Sequence, residues 1–412
     1  MASATMLTGC GGIEEVGVGD GGRQRHIGVA ERRARLALRH RLAGTARATT
    51  PEEVAASLVA LHGTDPATVY LAVAARLAGS SKTVPETERA LYEDRGLVRM
   101  HGMRHTVFVF PAELTADVHA STGLTVAARE RAGLLKDMAA AGAPDAAWLA
   151  EVEASTLAAL ARRGQATAAE LTADEPRLSE QFVYAAGKSY EGLHTVSSRL
   201  LRVLGVEGKV VRGRPLGSWT SSRFRWAPAP EHPELDTAEA QARLLGRWLG
   251  VCGPATEADL KWWTGWRVTE VRRALAAVGA WEVSLDEGTG YVCADDLAPV
   301  PDPGEPWAAL LPALDPTAMA WRQRDWYLPA QLRPLLFDRS GNVGPTVWWN
   351  GRVVGGWAQR ADGEIAWRIP EEAARREAAA AVASAAERLH GWLGTTRVTP
   401  RFRTPLEREL SA

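Results

Sequence analysis

Ala166-Thr167-Ala168-Ala169-Glu170-Leu171 and Ala255-Thr256-Glu257-Ala258-Asp259-Leu260 repeat one piece of local grammar. In each, a threonine hydroxyl is placed to cap the helix that follows. Each helix pattern runs on to a glycine, Gly205 or Gly279, and each glycine precedes a two-strand pattern. Those strands are Lys209 to Arg212 with Trp219 to Trp226, and Trp281 to Leu285 with Gly290 to Ala294. The spacing from threonine motif to glycine is 39 residues in one copy and 24 in the other. The longer copy therefore carries an insertion of about 15 residues beyond a three-helix pattern. Helices followed by a hairpin are the plan of a winged helix.

A third copy of the plan lies upstream. Residues 28 to 42 read as an arginine-studded helix, and Thr50-Pro51-Glu52-Glu53 opens another through a capping box, with proline suited to the first turn. That helix is expected to run to about Leu61. His62-Gly63-Thr64-Asp65-Pro66 breaks it, a further helix follows to about Leu77, and Pro85 starts a short one to Asp94. Leu97 to Met100 and Thr106 to Phe110 alternate like strands around Gly102-Met103-Arg104.

The last third changes character, since fifteen of the sixteen tryptophans lie after residue 218. Most of these large rings are expected in a core. Asn350-Gly351 and Asp362-Gly363 mark hairpin reversals, and an alanine-rich helix from Glu371 to about Trp392 covers the result. The fold class expected is α+β, three tandem winged-helix units followed by a small C-terminal β-barrel. The division is 1–27, a flexible glycine-rich extension; 28–125, 126–230 and 231–300, the three units; and 301–412, barrel and helix.

Composition limits the function. The chain has 412 residues, a net charge of -1, 46% hydrophobic and 24% charged residues, which is ordinary multi-domain globular composition and excludes fibrous or wholly disordered classes. No apolar run approaches the roughly 20 residues that span a bilayer. Cys10, Cys252 and Cys293 are too few and too scattered for a disulfide framework or a zinc site, which points to a reducing interior. Gly17-x-Gly19-x-Gly21 follows no strand, and Gly187-Lys188-Ser189 lacks the upstream glycine of a phosphate loop, so neither is a nucleotide site. No metal or cofactor is called for. Charge is unevenly placed: residues 188–226 carry +6 and residues 31–110 carry +4. Such blocks can present a cationic face to phosphate.

Three segments carry more specific wording: Leu61-His62-Gly63-Thr64-Asp65-Pro66 with Tyr70-Leu71, the stretch from Leu314-Asp315-Pro316 to Trp326-Tyr327, and that from Gly341 to Trp357. In these, residues 28 to 400 resemble the AlkZ/YcaQ family of bacterial winged-helix DNA glycosylases. The resemblance implies three winged helices around a DNA cleft, and excision of bulky N-alkylated purines by a monofunctional enzyme. The implied partner is double-stranded DNA containing alkylated purines, bound by a monomer in the cytoplasm.

The family's catalytic pattern is Gln-x-Gln or Gln-x-Asp before the proline turn, and those positions fall on His62 and Thr64. Neither glutamine is present. His62 is expected to hold or activate the water, Asp65 to stabilise the cationic sugar and Thr64 to assist by hydrogen bonding. If neutral imidazole is required, excision weakens as pH falls through about 6.5. The alternative is that His62 ends a helix and Asp65 caps the next. For DNA contacts the expectations are Arg99, Arg104 and His105 at the first hairpin, Ser197, Ser198, Arg199 and Arg202 on a recognition helix, and Arg212, Arg214, Arg223 and Arg225 in the basic block. The competing function is a noncatalytic DNA-binding protein, either a transcription regulator or an adduct recogniser.

Overall fold

The computed structural model describes residues 24–79, 82–142, 144–185, 187 and 191–412. The glycine-rich stretch Gly9 to Gly22 lies outside them. The chain is α+β, and its helices and hairpins follow the order the sequence lays out. The threonine caps form as expected: Thr167 accepts from the Glu170 amide and Thr256 from the Asp259 amide, each acid reaching back to complete a capping box. Hairpins Val210–Pro215 with Phe224–Pro228, and Trp281–Leu285 with Gly288–Val292, close these segments. The insertion in the longer copy is a further hairpin, Gln181–Tyr184 with Gly192–Thr195, set before the helix Val196–Val206.

The first segment departs from the expected helix. Pro51–Ala56 is helical, but the helix stops there and Leu61–His62 is a strand. Tertiary pairing overrides local pattern: Leu61 pairs with Val109 and His62 with Phe108, so a three-stranded sheet forms with Val107–Pro111 in the middle and Leu97–His101 on the far edge. Residues 24–27, assigned by sequence to the extension, instead join the third hairpin. The Ile27 amide donates to the Ser284 carbonyl, and Ile27 is buried with Val283 and Val292.

The arginine-studded helix, Val29–Arg39, turns its charge inward. Arg35 and Arg39 both bind Asp296, at 2.6 and 2.5 Å, and Arg32 binds Glu287 at 2.5 Å. These cations join the N-terminal helix to the third segment.

The C-terminal region is a four-stranded antiparallel sheet, Ala308–Leu311, Thr346–Trp349, Arg352–Gln359 and Ile365–Arg368, in that spatial order. Its first and last strands do not pair, which corrects the expected barrel to an open sheet. Closure is unnecessary because other elements cover both faces. The helix Glu372–Leu393 buries Ala378, Val382 and Ala386 against Leu310, Val347 and Trp357. The other face contributes Trp348 and Val353 to a core shared with Trp248, Trp321 and Tyr327. Asn350 and Gly351 make the expected turn with φ of 46° and 80°, a pair of left-handed residues that suits a two-residue hairpin. Asp315 and Arg76 lock this region to the first segment through a fully buried bidentate pair, 2.7 and 2.9 Å. The Leu314-Asp315-Pro316 wording is thus structural.

Candidate active site and nucleic-acid interface

His62 is half-buried at the mouth of a cavity of about 570 Å³ that opens where the first, third and C-terminal segments meet. The strand pairing fixes it there, with its ring 5.4 Å from that of Phe108. Its Nδ1 accepts the Thr64 backbone N–H at 3.4 Å. Burial, and then the charge of Arg104, push its pKa down to about 4. The ring is therefore neutral at ordinary pH. With Nδ1 accepting, the proton resides on Nε2, which makes that nitrogen a donor. Such an imidazole can hold a water by its oxygen but is not poised to take the water's proton.

Asp65 does not line that cavity. The carboxylate is buried, and its Oδ1 accepts from the Ala67 amide at 3.1 Å while Oδ2 accepts from the Arg401 amide at 2.9 Å. It caps the helix Pro66–Ala74 and pins the C-terminal segment. Its side chain lines a different, much smaller cavity than the one beside His62. Both of its oxygens thus accept backbone amides of this chain. Thr64 remains adjacent to His62 through its backbone amide.

The cavity walls bring Arg104, an expected DNA contact, together with residues that sequence reasoning missed. Arg104, from the tip of the first hairpin, lies 4.1 Å from the centre of the Trp262 ring, and Arg324 lies 5.2 Å from the same ring and 5.4 Å from Phe337. Arg322 and Arg333 add two further cations, and no carboxylate is among the described residues that line it. Arg104 and His105 carry φ of 54° and 59°, left-handed values that non-glycine residues adopt at a cost of order 1 kcal/mol each. Arg322 and Arg324 lie within the segment Leu314 to Tyr327 that carries the resemblance. The missed signal was their charge, read only as family wording. Nothing local in Trp262 distinguishes it from the core rings Trp263 and Trp266.

Such a site is a concave, cationic and aromatic-walled cleft, the chemistry that takes a phosphate-linked base. The sequence matches the family described as DNA glycosylase AlkZ-like over residues 55–392. The chain belongs to the AlkZ-like DNA glycosylase family. Its structure is similar to that of the Streptomyces sahachiroi DNA glycosylase AlkZ, with a TM-score of 0.62 and 20% identity, over 86% of this chain and 96% of that one. A search of curated proteins gives no match.

Against this DNA glycosylase framework the remaining expected contacts separate. Arg214 is committed to Glu88 and Glu93, at 2.8 and 3.0 Å, and Arg225 to Glu170 at 3.0 Å. His105 pairs with Glu130 at 3.0 Å, and Arg199 is buried against the Tyr184 ring at 4.2 Å. Ser197 is buried, and so are most atoms of Arg99. Ser198, Arg202 and Arg223 are exposed, though Arg202 also meets Glu130 at 3.4 Å. The second segment does not line the His62 cavity. No described helix is long and apolar enough to cross a membrane.

Proposed function

We propose that this enzyme is monofunctional and hydrolyses the N-glycosidic bond of bulky N7-alkylated purines in double-stranded DNA. Guanine adducts of DNA-alkylating natural products are the foremost substrates, in repair or self-resistance. The carrying observation is the open cavity of about 570 Å³ beside His62, walled by Trp262 and Phe337. It offers a bulky adduct room beside aromatic and cationic walls.

Alkylation at N7 makes the purine a cation that departs neutral, so the leaving group needs no acid. This agrees with a cleft whose lining has no carboxylate. Arg104, Arg322 and Arg324 draw in the phosphates, and those phosphates supply the negative charge that offsets the developing sugar cation. His62 Nε2–H holds the attacking water, and the proton that this water sheds on bonding to the sugar passes to solvent through the open cavity. The first three segments act as winged helices with the boundaries given above, and Ser198, Arg202 and Arg223 join Arg104 in facing the duplex. The chain works as a monomer.

Incubation with duplex carrying N7-methylguanine or a bulky N7 adduct, followed by alkali, tests this reading. Strand breaks at the adduct are expected. Tight binding without breaks would make the protein a noncatalytic recogniser instead.

A further inference from the structure

Arg99 faces away from the His62 cavity. It pairs across the sheet with Val109, whereas His62 pairs with Phe108, and neighbouring residues on one strand point to opposite faces. Its side chain is 5% exposed, and its Nε and Nη2 are buried without a hydrogen-bond partner. The strand Leu97–His101 packs against Val210–Pro215, which brings in Arg212, whose Nε is likewise buried and unpartnered. Arg212 rests 4.7 Å from the Phe224 ring. Burial foremost, then the charges of Arg99, Arg401 and Arg202, push the Arg212 guanidinium down to about 10. Among the described residues no carboxylate lies within ion-pair distance of Arg99, Arg212 or Arg401, while Glu130 serves Arg202, Arg199 and His105. His101, beside this group, is pushed down to about 4, chiefly by burial and then by Arg212 and Arg202, so it adds no charge of its own at neutral pH.

Orphaned buried guanidinium donors are costly, because Arg99 and Arg212 lose water without gaining an ionic partner. A tetrahedral oxyanion supplies several acceptors and two negative charges at most, and matches the planar donor fork of arginine. We propose that Arg99, Arg212 and Arg401 form a seat for one phosphate group, separated from the His62 cavity by the thickness of the three-stranded sheet. This deepens the reading above, on which the phosphate is that of a DNA backbone gripped outside the reaction centre. The same chemistry would also accept a free phosphate-bearing molecule.

The test compares thermal midpoints of the full chain in sodium phosphate and in sodium chloride of equal ionic strength, and the salt dependence of affinity for an undamaged duplex. Wild type, Arg212→Gln and Arg401→Gln are compared; the exposed Arg401 keeps the test alive if the first variant misfolds. Phosphate is expected to raise the wild-type midpoint by about 2 °C or more over chloride, an increment lost in both variants. The duplex salt slope is expected to shrink by about one. A gain with phosphate and a changed slope assigns the seat to backbone DNA. A gain with an unchanged slope assigns it to a free phosphate compound, and a changed slope alone assigns it to a phosphodiester. Neither effect in any variant overturns the seat. Failure of the wild type to excise adducts would sink the glycosylase substrate reading while leaving the phosphate increment in place.

Discussion

Oδ1 of Asp259 accepts the backbone N–H of Arg322 at 2.8 Å. The same oxygen takes the Gln323 amide at 2.8 Å, while Oδ2 closes the capping box on Thr256. One fully buried carboxylate thus fixes a helix start in the third segment and the loop carrying Arg322 and Arg324 into the cleft. Asp259→Ala removes acceptors from several buried donors. Chemical denaturation should show a loss of about 3 kcal/mol, and KM for adducted duplex should rise more than kcat falls, because the loop is misplaced without touching His62.

His62→Ala should lower excision by about a hundredfold. His62→Gln, which restores an N–H donor, should recover a substantial part. Because the imidazole stays neutral down to about pH 4, the single-turnover rate of the wild type should be flat from pH 5 to 8 and decline only toward pH 4, where a charged ring opposes the developing sugar cation. A midpoint near 6.5 would show that the ring titrates freely.

Asp65→Asn should separate structure from chemistry. The amide keeps one acceptor but sets an N–H against a backbone donor, Ala67 or Arg401. A stability loss of about 1–2 kcal/mol is expected, with the single-turnover rate of the folded protein unchanged. A hundredfold rate loss at full stability would restore a catalytic role.

Acid should destabilise the fold before it stops the chemistry. His40, His62 and His101 are depressed to about 3, 4 and 4, burial being the main cause in each. Above pH 6.5 these rings are neutral in both folded and unfolded chains. Below it the unfolded chain binds protons that the folded one refuses, so stability falls with pH down to the folded values. Each contributes up to about 1.4 kcal/mol per pH unit. Thermal midpoints should therefore drop steadily between pH 6.5 and 4, and His101→Gln should make that slope shallower.

Arg324→Ala should weaken duplex affinity by about fivefold and flatten its salt dependence, as loss of a phosphate contact does. Arg214→Ala should change neither, since Glu88 and Glu93 already neutralise that side chain. A filter-binding titration from low to moderate salt compares the two.

The sequence by itself determined the capped helices, the three hairpins and the Asn350-Gly351 turn, because each depends on a few adjacent residues. Thr167 with Glu170 needs nothing beyond one helical turn. Tertiary structure alone decided which charges were free. Asp65 and Arg214 read as available groups until their partners arrived from residues 401, 88 and 93. The strand at Leu61–His62 likewise exists only because Phe108 and Val109 lie alongside, and the sheet stays open because a helix and a tryptophan core cover its faces. A carboxylate or a guanidinium has a chemical identity in the sequence. Its availability is a property of what folds against it, since burial and pairing change the free energy of its charge.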